Sequence, residues 1–199
     1  MINIENINTI DRPYTIFKEM YLKALSSSQE NIDAIAISSF NSETNLVDSR
    51  FVNLKYINDI EWIFFTNLES PKANQFRSFD QISALFFWSK INIQIRIKAK
   101  IKKTNREMDI DHFSTRTKEK NALARASSQS TPIDSYKTIK ENYNNSLEAN
   151  NLMVCPEFWG GFSFTPYYFE FWEGHNSRLN KRDAYQREDG LWKNSILQP

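Results

Sequence analysis

The sequence predicts an α+β, mainly β domain built around an antiparallel barrel. Three observations carry this. Strand-like blocks occupy both ends of the chain. Ile91, Ile93, Ile95, Ile97, Ala99 and Ile101 alternate with Asn92, Gln94, Arg96, Lys98 and Lys100, the pattern of a long strand with one dry and one polar face. Between the blocks, from 105 to about 150, the pattern turns polar and helical. A closed or nearly closed barrel is the natural way to hide six or seven strands. No internal repeat and no linker divides the chain, so 1–199 reads as a single domain.

The elements follow in order. Asp11 precedes Pro13, and Ile16, Phe17, Met20, Tyr21 and Ala24 recur at helical spacing, which predicts a helix over 13–26 with Asp11 as its cap. Residues 32–40 read as an apolar strand and 41–45, NSETN, as a polar turn. Residues 46–56 and 61–66 read as two strands of a hairpin joined by INDI. A short helix is expected at 69–78, a buried strand at 82–88, and the alternating strand after it. His112, Phe113 and Arg116 fall on the first of the polar helices, 127–133 reads as a loop, and NYNNSLEANN at 142–151 as the most exposed loop. The last fifty residues return to strands, with a turn at Asp189-Gly190.

Composition narrows the function classes. A net charge of +1 gives no global pull toward nucleic acid or an anionic membrane. No run of about 18 apolar residues is present, so no membrane span is expected. One cysteine, Cys155, and two histidines, His112 and His175, argue against an intrachain disulfide and a zinc site, and no metal is expected. The lone cysteine and the lack of a signal-peptide pattern at the N-terminus fit a cytoplasmic protein.

Nine stretches, in order and in register, carry a resemblance: SRFVNLKY at 49–56, FFTNLESPKANQ at 64–75, LFFW at 85–88, IQIRI at 93–97, HFSTR at 112–116, ASSQS at 126–130, FWGG at 158–161, FEFWEG at 169–174 and SRLNKRDAYQR at 177–187. The chain resembles the pyridoxamine 5'-phosphate oxidase family from about residue 11 to its end. The resemblance implies an FMN-binding split β-barrel, a Greek-key antiparallel barrel with flanking helices, and FMN at the seam of a two-fold homodimer. It also implies the family reaction. A phosphorylated B6 vitamer, or a related aromatic molecule, gives a hydride to flavin N5, and oxygen reoxidises the flavin to yield hydrogen peroxide. In such enzymes the cofactor performs the redox step and the protein supplies position and electrostatics.

The resemblance implies cofactor contacts from Arg50, Phe51, Val52, Asn53, Leu54 and Lys55, then Phe65, Thr66, Lys72 and Gln94. Gln129 and Ser130 match a pair that reaches flavin across the interface, and Trp172 and Arg182 match the last two contacts. Binding a phosphate dianion needs cations and donors from several elements, which this set supplies. Arg50 and Lys55 lie five apart on one strand, hence on opposite faces. If both touch one cofactor, the strand must twist or one contact must run through the backbone. Arg50 alone would read as a solvated charge, and Trp172 as packing. Gly160 and Gly161 read as backbone geometry.

The implied substrate contacts are Lys55, His112, Arg116, Lys120, Arg178 and Asn180, with Arg178 and Asn180 nearest the chemistry. Here the chain departs from its family. His112 stands where the family usually has Tyr, Lys120 where it has Ser, Asn180 where it has His, Lys181 where it has Asp, and Pro71 where a basic residue is common. His112 and Lys120 are expected to add charge near the phosphate pocket. Three readings follow: an oxidase of pyridoxine or pyridoxamine 5'-phosphate, a flavin-dependent relative with another substrate, as in phenazine-pathway oxidases, or a non-catalytic flavin-binding protein.

Overall fold

The computed structural model describes residues 1–199. Helix α1 spans Arg12–Ser26, followed by strands β1 (Ala34–Asn41), β2 (Leu46–Asn58) and β3 (Glu61–Asn67). Helix α2 (Pro71–Ser78) leads to β4 (Gln81–Trp88) and, through a single 3-10 turn at Ser89–Ile91, to β5 (Ile93–Lys103). Helices α3 (Arg106–Ser114), α4 (Lys118–Ala126) and α5 (Tyr136–Leu147) come next, then β6 (Trp159–Glu173), β7 (Lys181–Glu188) and β8 (Leu191–Ile196).

All strand pairs are antiparallel, in the order β3-β2-β1-β4-β5-β6-β7-β8. β3 also pairs with β6, so six strands form a hydrogen-bonded ring and β7 and β8 continue the sheet beyond it. The alternation seen in the sequence fills this ring. Ile93, Ile95, Ile97, Ala99 and Ile101 are buried, while their polar neighbours point outward. Ile91 belongs to the turn before the strand, where Asn92 takes a left-handed conformation with φ of 52°.

α1 closes one side of the barrel with Phe17. Its ring lies 4.4 Å from Trp62 and 5.7 Å from both Phe86 and Trp88. Asp11 precedes this helix as expected, but its side chain does not cap it. Its carboxylate accepts instead from Trp192 Nε1 on β8 at 3.0 Å, which ties the last strand to the first helix.

The expected exposed loop at 142–151 is mostly helical. α5 runs to Leu147 and starts from Ser135, whose hydroxyl accepts from the Thr138 amide at 3.1 Å. The asparagines suggested a loop because they are weak helix formers. The cap and the packing of α5 against α4 outweigh that preference.

Candidate active site

A cleft of about 920 Å³ opens between β2, β3 and the segment from α3 to the loop after α4. β2 contributes Arg50 and Lys55. The sequence placed them on opposite faces, and β2 carries a register shift between Leu54 and Tyr56 against β3. The buried positions Val52 and Leu54 are followed by Ile57, so the strand's facing changes across the shift. Both cations line one cleft, which takes residues from both faces of β2 between Asp48 and Asn53 as well as Lys55 at the shift. Phe51 and Asn53 line it from the exposed side of the strand. Val52 borders it, but its side chain is buried with the core. Leu54 does not line the cleft; its side chain is fully buried in the barrel, so it serves packing and not contact.

Lys72, from the first turn of α2, is the most unusual group here. It is 7% exposed and forms no ion pair. Its Nζ donates to Gln129 Oε1 at 2.7 Å and to Ser70 Oγ at 3.1 Å. Thr66 Oγ1 donates to the same Gln129 oxygen at 3.0 Å. Burial, aided by the charge of Arg50, pushes the Lys72 ammonium down to about 8. Gln129 thus lines the cleft of its own chain. Ser130 beside it takes φ of 67°.

Arg50 is held in place. Its guanidinium donates to Ser39 Oγ at 2.6 Å, to the Ile37 carbonyl at 3.3 Å and to Gln75 Oε1 at 3.2 Å. Gln75 in turn donates to Asp48 at 2.6 Å. Lys55 pairs with Asp33 at 2.9 Å. Burial pushes the Asp33 carboxyl up, but the Lys55 hydrogen bond and charge outweigh it and hold the acid below its ordinary range. Ser39, Gln75, Asp48 and Asp33 went unnoticed in the sequence, since nothing local links them to the cations they orient.

An aromatic wall completes the cleft. The His112 ring stacks on Phe65 at 4.0 Å with planes 9° apart, and Phe65 stacks on Trp159 at 5.2 Å. Arg116 lies over the Trp159 ring at 4.6 Å. Burial, and then the charges of Arg116, Lys55 and Lys120, push the His112 imidazole down to about 4. His112 is therefore neutral near pH 7, and the expectation that it adds charge does not hold. Lys120 lines the cleft as expected. The two glycines after Trp159 are set by close approach. A Cβ at Gly160 would collide with the Asp109 carboxylate, and one at Gly161 would lie 3.0 Å from the Phe65 ring.

The remaining expected residues do not line this cleft. Gln94 pairs with Trp172, and Trp172 with Arg182, so the three form one row across β5, β6 and β7. Trp172 is half-buried rather than core. Arg182 is clamped by Glu170 through Nε at 2.9 Å and a terminal nitrogen at 2.7 Å. Arg178 and Asn180 occupy the loop between β6 and β7. Arg178 is exposed with φ of 64°, and the Asn180 side-chain oxygen accepts from the His175 amide at 3.0 Å.

Comparison with known proteins agrees with this geometry. Residues 159–199 match the sequence model of the pyridoxine 5'-phosphate oxidase C-terminal dimerisation region. Over 192 residues the chain is 34% identical to pyridoxine/pyridoxamine 5'-phosphate oxidase 1 of Hydrogenovibrio crunogenus, covering 94% of this chain and 88% of that protein. It is 31% identical over 195 residues to the corresponding oxidase of Alteromonas mediterranea, covering 94% and 89%. In fold it is similar to PhzG from Burkholderia lata, solved in complex with tetrahydrophenazine-1-carboxylic acid, with a TM-score of 0.89 at 23% identity over 96% of this chain and 94% of that one. A pyridoxamine 5'-phosphate oxidase-related, FMN-binding protein from Nostoc punctiforme has a TM-score of 0.76 at 12% identity, over 92% and 97%. The fold is that of the FMN-binding split barrels. With a third of its residues shared along nearly its whole length, the chain belongs to the pyridoxine/pyridoxamine 5'-phosphate oxidase family.

Proposed function

We propose that this protein is an FMN-dependent oxidase acting on a phosphorylated B6 vitamer, working as a two-fold homodimer. One observation carries the reading: Lys72 is buried beside Arg50 with no carboxylate partner. A buried cation without a counter-ion is costly, and an anion bound in the cleft removes that cost. Lys72 and Thr66 now both donate to Gln129 Oε1, and the same two donors suit a phosphate oxygen. Arg50 supplies the second fixed charge. The residues present therefore fit the phosphate of FMN.

When bound, FMN would supply the hydride acceptor and pass the electrons to oxygen. The chain's own groups hold and orient. Lys55, Arg116 and Lys120 offer positive charge to a substrate phosphate, and neutral His112 offers a hydrogen bond. The aromatic wall of Phe65 and Trp159 gives the cleft an apolar side that excludes water. In the dimer, the row of Gln94, Trp172 and Arg182 and the loop of Arg178 and Asn180 would face the cleft of the partner subunit. The match of 159–199 to a dimerisation region supports this.

The Asn180 side chain favours a second reading, in which another substrate is used. Its oxygen is spent on the His175 amide, and an amide side chain carries no charge where the family has an imidazole. One experiment tests both. FMN-reconstituted protein is mixed anaerobically with pyridoxamine 5'-phosphate, and flavin absorbance is followed for the wild type and Asn180→His. Bleaching by the wild type supports the first reading. Bleaching only after Asn180→His supports the second. Protein that keeps no flavin after gel filtration overturns both.

A further inference from the structure

The hydrogen bond between Tyr56 and His112 belongs to no step described so far. Tyr56 stands directly after the register shift in β2, and its hydroxyl lies 2.8 Å from His112 Nδ1. This is the only hydrogen bond of that hydroxyl, and His112 Nε2 makes none within the chain. The imidazole cannot turn freely. It is stacked on Phe65 at 4.0 Å, and Tyr56 meets it edge-on at 5.3 Å with planes 86° apart. Tyr56 also packs edge-on against Phe65 at 6.2 Å. Three aromatic groups thus hold one another, with His112 forming a wall between the large cleft and a smaller cavity of about 410 Å³.

Two proton arrangements satisfy a 2.8 Å contact. In one, the phenol donates to a bare Nδ1, and the ring proton sits on Nε2. In the other, Nδ1 donates to the phenol oxygen. The second leaves both the phenol proton and the Nε2 lone pair without a partner in the chain, whereas the first leaves only the Nε2 proton, on a ring that lines the cleft. A half-buried hydroxyl without an acceptor is disfavoured. We propose that Tyr56 is a positioning residue for His112: its phenol donates to Nδ1 and fixes the imidazole as the neutral Nε2–H tautomer, which presents one uncharged donor to a phosphate monoester in the cleft. This inference rests on the proposed reading of the cleft as a site for phosphorylated ligands.

The surroundings of the ring agree with it. Lys55 from β2, Arg116 after α3 and Lys120 from α4 all oppose a charge on the imidazole. Glu107 and Asp111 of α3 line the smaller cavity on its other side. Burial likewise raises the Tyr56 phenol, so it keeps its proton to donate. A neutral donor adds direction to a pocket already rich in cations. It does so without a further positive charge that would hold a bound phosphate indiscriminately.

The test uses the purified protein with ¹⁵N-labelled histidine, which carries only two such residues. The signals lost in His112→Gln identify His112. Couplings in a long-range proton–nitrogen spectrum report which ring nitrogen bears the proton. The wild type is expected to show a single Nε2–H tautomer from about pH 6 to about pH 8, where an ordinary histidine titrates. Tyr56→Phe keeps the ring and its packing but should give a mixture of both tautomers. Affinity for inorganic phosphate should fall by about two- to tenfold in Tyr56→Phe, the fold-change of one net hydrogen bond. An Nδ1–H tautomer in the wild type, or an unchanged tautomer in Tyr56→Phe, overturns the proposal. The spectrum needs no flavin, so failure of FMN to bind would overturn the functional reading and leave the tautomer assignment standing.

Discussion

Lys72 shows how one residue can report a site before any ligand is seen. Its ordinary value of 10.5 falls to about 8 because burial strips the ammonium of water and Arg50 adds a like charge. Between about 8 and 10.5 the unfolded chain therefore binds more protons at this position than the folded one. The flavin-free protein should gain stability as pH rises through that window, and the burden below it is on the order of 1–3 kcal/mol. Lys72→Met should raise the stability of the flavin-free protein near pH 7 and remove the slope above pH 8. The same variant should weaken FMN binding by about ten- to a hundredfold, the value of a charge-assisted bond to phosphate. Wild-type affinity should fall above about pH 8 as the free ammonium loses its proton. Denaturant titrations and flavin fluorescence at several pH values check each sign. A Lys72→Met protein that is less stable and binds FMN normally would make Lys72 a structural lysine.

At the scale of the element, regular periodicity was legible and its interruptions were not. The alternating isoleucines of β5 are all buried as read, because one face of a strand has one destination. The register shift beside Lys55 could not be seen, since it answers to the neighbouring strand and not to local residue preference. Nor could it be seen that the cleft takes side chains from both faces of β2, which is how Arg50 and Lys55 come to share it. α5 was missed for the complementary reason: tertiary packing overrides a run of asparagines. Tyr56 and Trp159 were not singled out in the sequence; their place beside the site shows only in space, where Tyr56 meets His112 edge-on and Trp159 stacks on Phe65. α1 was read correctly because its apolar stripe is continuous. Its weight rests on Phe17, fully buried against Trp62, Phe86 and Trp88. Phe17→Ala should cost about 3–5 kcal/mol in urea unfolding, the usual figure for an aromatic deleted from a packed core. A loss under about 1 kcal/mol would mean that α1 is only loosely joined to the barrel.

At the scale of the molecule, the residues implied by the family fall into two sets that one chain does not join. Arg50, Lys55, Thr66, Lys72, Gln129, His112, Arg116 and Lys120 share the cleft, whereas Gln94, Trp172, Arg182, Arg178 and Asn180 stand apart from it. The sequence order hinted at both sets but could not say that they separate, because spatial division depends on the closed ring of strands. A two-fold dimer unites them if each cleft receives the second set from the other subunit. Light scattering should then give about twice the chain mass of 23.5 kDa. A sharper test mixes two defective proteins. Lys72→Ala damages the cleft set, and Arg182→Ala damages the flanking set while freeing Glu170 from its clamp. Each homodimer should bind FMN poorly. After unfolding and refolding together in equal amounts, about half of the dimers are mixed by chance. Each mixed dimer holds one site built from two intact sets and one site with both damaged. Flavin binding should therefore return to about a quarter of all sites, with an affinity like that of the wild type. If each site were built within one subunit, every chain in the mixture would still carry its defect and nothing would return. Recovery to about a quarter, and not merely an improvement, is the result that the divided site requires.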